Sequence, residues 1–127
     1  MDAEMTLVQA SSETRSWLQN LHDRLPHLEY REAGYYATFR SKSIRGVFAY
    51  LNPVKRSIRL FLPLDPGDAS HLRPTPSTYS WAERFPSVFR IAGEDDLPEA
   101  ARLIAKSYAD ALERNREKSD KYLYRKK

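Results

Sequence analysis

The chain has 127 residues, 41% of them hydrophobic and 30% charged, with 21 Lys and Arg against 17 Asp and Glu for a formal net charge of +4. That length and balance give one domain with a real core and exclude disorder as a description of the whole chain. Cysteine is absent, which excludes disulfides, thiolate metal sites, Fe–S clusters and cysteine nucleophiles.

The opening Met1–Met5 is acidic and has no basic segment before an apolar one, so no secretory signal is read. Residues 1–11 form a loose lead-in to a single domain over 1–127. Ser11 and Ser12 suit a helix N-cap. Trp17, Leu18, Leu21 and Leu25 then fall on one helical stripe, and Pro26 ends it, so a helix is predicted over 12–25.

From Leu28 the period changes to two. Tyr35, Ala37 and Phe39 alternate with Tyr36, Thr38 and Arg40. Ile44–Leu51 is a second strand rich in β-branched and aromatic residues. A turn over Asn52, Pro53, Lys55 and Arg56 precedes a third strand, in which Ile58, Leu60 and Leu62 alternate with Arg59 and Phe61. Connections this short allow only an antiparallel meander. Leu28–Arg31 is read either as a fourth strand or as the start of the first, broken near Gly34.

Asp65–Arg84, with Pro66, Gly67, Pro74 and Pro76, reads as a long loop anchored by Trp81 and Phe85. Ser87–Ala92 is another strand, with Phe89 and Ile91 on one face and Val88 and Arg90 on the other. Asp96, Pro98 and Glu99 have the spacing of a capping box, and Leu97, Ala101, Ile104, Tyr108 and Leu112 make the stripe of a second helix over 97–116. Residues 118–127 form a basic frayed tail. The fold class is therefore α+β, an antiparallel meander packed against an N-terminal and a C-terminal helix.

Charge is unevenly spread. Residues 33–64 hold no carboxylate but carry Arg40, Lys42, Arg45, Lys55, Arg56 and Arg59. Arg114, Arg116, Lys118, Lys121, Arg125, Lys126 and Lys127 make the end of the chain basic as well. Clustering of this kind is expected of a polyanion-binding protein, and equally of a soluble chain whose basic parts pair with its acidic remainder. Tyr35, Tyr36, Tyr50 and Phe61 are interleaved with the central cations and are candidates for stacking on bases, although aromatic residues on strands commonly pack in the core.

Catalytic patterns are missing. Gly34, Gly46, Gly67 and Gly93 are too sparse for a phosphate-cradling loop, and His22, His27 and His71 lack ligand spacing. Asp95-Asp96 sits where helix caps sit, and Asp65 and Asp68 look like a turn. No catalytic residue, metal or cofactor is assigned, and the chain reads as a non-enzyme.

Trp81, the strand Ser87–Ala92, the acidic turn Glu94–Leu97 and the helix with Leu103-Ile104 and Ser107-Tyr108 resemble the end of small bacterial YjbR/MmcQ-like domains, whose fold is similar to that of CyaY. Residues 48–64 also look like the strands of a related uncharacterised family. The resemblance covers about residues 12–112. It implies the α+β layout and a suggested DNA-binding role, and it brings no catalytic residues. Helix 12–25 offers only Glu13 and Asp23, so the acidic iron-binding face of a frataxin relative is not transferred.

The leading reading is a cytoplasmic module that binds nucleic acid or a similar polyanion on Arg40, Lys42, Arg45, Lys55, Arg56 and Arg59. The rival is a protein-interaction or homodimerisation module using Trp81, Phe85 and the exposed aromatic residues as its patch. An enzyme on a phosphorylated substrate ranks third. No membrane partner is expected, since no apolar run approaches the roughly 18 residues of a spanning helix.

Overall fold

The computed structural model describes residues 11–41, 44 and 46–125, with the side chains of 116–125 left aside. The lead-in over 1–10 lies outside the described residues, as do Lys42, Arg45, Lys126 and Lys127.

Helix α1 spans Ser12–Arg24, and the Ser11 hydroxyl accepts a hydrogen bond from the Thr14 N–H at 3.1 Å, satisfying one of the first-turn donors. Six strands follow: β1 (Glu29–Glu32), β2 (Ala37–Arg40), β3 (Val47–Val54), β4 (Ser57–Leu62), β5 (Arg73–Pro74) and β6 (Ser87–Ile91). Helix α2 spans Leu97–Arg125. The sheet order is β1-β2-β3-β4-β6-β5, and every neighbouring pair is antiparallel. The fold is thus α+β, a meander between an N-terminal and a C-terminal helix. Among the described residues no helix is long and apolar enough to cross a membrane.

The period-two reading assigns the faces. Ala37, Phe39, Leu51, Ile58, Leu60, Leu62, Phe89 and Ile91 point to one side. There they join Trp17, Leu18 and Leu21 of α1 and Leu97, Ala100, Leu103 and Ile104 of α2 in one core cluster. Full burial of each large aliphatic side chain contributes about 1.5–3 kcal/mol. Buried hydroxyls are satisfied locally: Ser87 donates to the Leu62 carbonyl at 3.2 Å and Ser107 to the Leu103 carbonyl at 3.1 Å.

Four details differ from the sequence reading. β3 begins at Val47 and runs through Asn52-Pro53 to Val54, leaving only Lys55 and Arg56 in the turn. Pro53 is tolerated because β2 pairs no further along β3 than Leu51, so the missing N–H has no ladder partner to fail. The buried stripe of α2 is Leu97, Ala100, Leu103, Ile104 and Ser107, whereas Leu112 is 38% exposed. The helix expected over 97–116 continues through most of the expected tail to Arg125, so α2, with 29 residues, is about 43 Å long and outruns the strands it packs against. The Asp96 carboxylate accepts from the Ala92 N–H at 2.8 Å, and Glu99 is engaged by Arg102, so both carboxylates of the expected capping box serve other partners.

The segment 65–84 departs most. It contains a 3-10 turn at Pro66–Asp68 and the strand β5, which pairs with β6 at the edge of the sheet. Thr75 donates to the Phe85 carbonyl at 2.6 Å, and the Thr75 N–H donates to the Pro86 carbonyl at 3.0 Å. These bonds close the excursion at its base.

Candidate anion-binding site

The sheet face away from the helices carries the second half of each alternation. On β4 these residues are Ser57, Arg59 and Phe61. Register places Tyr50 opposite Phe61, Asn52 opposite Arg59, Arg90 opposite Arg59 and Val88 opposite Phe61. Arg73 on β5 lies opposite Val88. Part of this face is covered by the segment after β5. Tyr79 stacks on Trp81 at 4.8 Å between ring centroids, Trp81 on Tyr50 at 5.8 Å, and Tyr50 on Tyr36 at 4.6 Å. Phe61 meets the Trp81 ring nearly edge-on at 5.6 Å. Offset and edge-to-face ring pairs of this kind add about 0.5–1.5 kcal/mol beyond area burial.

The aromatic residues read as base-stacking candidates are therefore engaged with one another. Phe61 is fully buried, Tyr36 and Tyr50 are half-buried, and Tyr35 alone of the four is well exposed, at 54%. Trp81 is half-buried and Phe85 buried.

Arg59 points away from the Ile58/Leu60/Leu62 stripe, as the alternation requires, but it is braced. One terminal nitrogen donates to the Tyr79 hydroxyl at 2.9 Å and the other to Asn52 Oδ1. Its guanidinium carbon lies 5.7 Å from the Phe61 ring centroid and 5.6 Å from that of Tyr79. Asn52 is itself held, donating to the Tyr35 carbonyl at 3.1 Å. A guanidinium fixed on two sides keeps its charge in one place without spending rotamer entropy on binding.

Beside it opens a groove of about 240 Å³ lined by Ser57, Arg59, His71, Arg73, Val88 and Arg90. It continues into a second concavity of about 340 Å³, at the hairpin end of the sheet, lined by Lys55, Arg56, Ser57 and Arg90. Lys55, Arg56, Arg73 and Arg90 are exposed, and among the described residues no carboxylate forms an ion pair with any of them. A third concavity, of about 420 Å³, shares His71 and Arg90 but is lined otherwise by Phe89, Asp95, Asp96 and Glu99. Its Glu99 carboxyl is held below the usual carboxylate range by the hydrogen bond from Arg102, with the charge of His71 contributing.

Of the six cations read from the sequence, the structure brings together Lys55, Arg56 and Arg59. Arg40 ends β2, where it pairs with Glu29 and Val47, and it lines neither basic concavity. Val47 and the hairpin turn stand at opposite ends of β3, about 25 Å apart for eight residues. Lys42 and Arg45 lie outside the described residues. Arg73, Arg90 and His71 are not among those six cations, yet they line the groove. Alternation in Ser87–Ala92 already set Arg90 apart from Phe89 and Ile91, but nothing local says that β6 pairs with β4. Among the described residues no three His, Asp or Glu side chains gather as a metal site. No family model, no curated protein and no solved structure matches the chain.

Proposed function

We propose that this chain is a non-enzymatic module that binds nucleic acid through its phosphates, on the basic groove of the helix-free sheet face. The observation that carries the reading is the convergence of Arg59, Arg73 and Arg90 from three adjacent strands on one groove that Lys55 and Arg56 extend. Cations in a row along a concave surface release condensed counterions when they neutralise phosphates, which supplies much of the affinity. The YjbR-like resemblance read from the sequence points the same way, and a cytoplasmic location is part of this proposal. Of the patch that the rival interaction module needs, Trp81 and Phe85 are engaged in the ring cluster on this face, and Tyr35 is exposed.

The test is fluorescence anisotropy with labelled single- and double-stranded DNA and RNA across a salt series. A folded variant carrying Lys55→Ala, Arg56→Ala, Arg73→Gln and Arg90→Gln removes four charges and should flatten the log–log salt slope by about 3–4. An unchanged slope, or no binding by the native chain at low salt, overturns the proposal.

A further inference from the structure

We infer that the groove between Arg59, Arg73 and Arg90 is a pocket for a phosphate monoester at the end of a nucleic-acid strand, an inference that rests on the nucleic-acid reading above. The first argument is charge density. Arg59 and Arg90 are register partners on neighbouring antiparallel strands, and Arg73 is opposite Val88, two residues from Arg90 on the same face. Directly opposed positions have β-carbons about 5 Å apart and diagonal ones about 7–8 Å. Arg59, held by Tyr79 and Asn52, fixes one charge in the wall of the groove, and the exposed Arg73 and Arg90 side chains can close on a tetrahedral dianion beside it. A terminal phosphate offers three unesterified oxygens and nearly two charges, whereas a phosphate inside a strand offers two oxygens and one charge.

The second argument concerns the exits. Toward Phe61 the face is covered by the segment that carries Tyr79 and Trp81, fastened to the sheet through the Tyr79–Arg59 hydrogen bond. Past His71 and Arg90 the adjoining concavity is lined by Asp95, Asp96 and Glu99, the last paired with Arg102, and it favours further phosphates less. Toward Lys55 and Arg56, by contrast, the described surface stays basic. A strand lying along the hairpin can thus enter the pocket but finds no favourable path out of it. The groove therefore receives an end.

The test compares one oligonucleotide sequence in three forms: 5′-phosphorylated, 3′-phosphorylated and hydroxyl at both ends. Anisotropy is measured on the native chain, on Arg73→Gln/Arg90→Gln, on the single Arg90→Gln, and on Arg31→Gln as a charge control on β1, at the far side of the sheet. One phosphorylated form should bind at least about tenfold more tightly than the hydroxyl form, as expected when a charge-assisted bidentate contact is gained. The preference should vanish in the groove variants and persist in Arg31→Gln, with circular dichroism confirming their fold. Equal affinity for all three forms overturns the pocket while leaving the nucleic-acid reading standing. A preference that survives Arg90→Gln and the double variant, or that is lost equally in Arg31→Gln, also overturns it. No binding of any form at low salt removes both.

Discussion

Arg59 and Arg90 face each other across β4 and β6, and like charges directly opposite on a sheet oppose folding. Arg90→Gln keeps most of the side chain's length and removes one charge, so it isolates that repulsion. The two side chains start from β-carbons about 5 Å apart, and a head-group separation of about 8 Å serves for the estimate. At that separation Coulomb repulsion is about 0.5 kcal/mol in water, and it is larger where the braced, half-buried Arg59 sees a lower dielectric. Exposure of Arg90 keeps the figure near the lower bound, so Arg90→Gln should stabilise the fold by about 0.5–1 kcal/mol. Denaturant titration at about 0.01 M and about 1 M salt reads the effect, because the screening length falls from about 30 Å to about 3 Å between them. The gain should be clear at low salt and nearly gone at high salt. Destabilisation, or a gain indifferent to salt, would refute the claim that these two cations repel across the ladder. The same substitution should weaken anion binding, so stability and affinity should move in opposite directions.

Ile104→Ala, at a fully buried position of α2, should cost about 2–5 kcal/mol in denaturant unfolding; a loss under about 0.5 kcal/mol would contradict the docking of that face. Asn52→Ala removes the acceptor of Arg59 and the donor to the Tyr35 carbonyl, and should cost about 2–4 kcal/mol while loosening anion binding in the groove. Trp81 Nε1 is buried without a hydrogen-bond partner among the described residues, so Trp81→Phe should change stability by less than about 1 kcal/mol in thermal melts. Tyr30, raised well above the ordinary phenol range by burial and then by its hydrogen bond to Glu32, stays neutral in the fold after the unfolded chain has begun to ionise there. Its stabilising contribution is full below the unfolded value of about 10 and is lost as pH rises beyond it, so Tyr30→Phe should lessen the alkaline fall in stability.

Periodicity speaks for the face a residue occupies, and that is why so much of the layering was legible. The alternation in Ile58–Leu62 and Ser87–Ile91 assigns Arg59 and Arg90 to the side away from the helices, and both stand there. Partner choice is a different kind of information. Nothing near Arg73 announces that a two-residue strand will pair with β6, because an edge strand so short has no period of its own. The covering of Phe61 by Tyr79 and Trp81 was hidden for the same reason: an aromatic in a proline-rich loop carries no register. Asn52-Pro53 reads as a turn because proline breaks ladders, and only the shortness of β2 makes it acceptable within β3. The basic cluster was recognised by its lack of carboxylates, a one-dimensional signal that gathers Arg40 with Arg59 although the sheet holds them far apart.

The sheet ends in two strands of opposite character, and together they govern how it resists growing. On one flank β5 contributes only Arg73 and Pro74, too brief a template to align an incoming strand, and its proline has no N–H to offer. On the other flank β1 presents Glu29, Arg31 and Glu32, with Arg31 paired to Glu29 and Glu32 to Arg15 of α1. An approaching backbone would have to strip water from those charges before forming its first bond. Polymerisation edge to edge, the hazard of every open sheet, is thus checked by brevity on one flank and by hydration on the other.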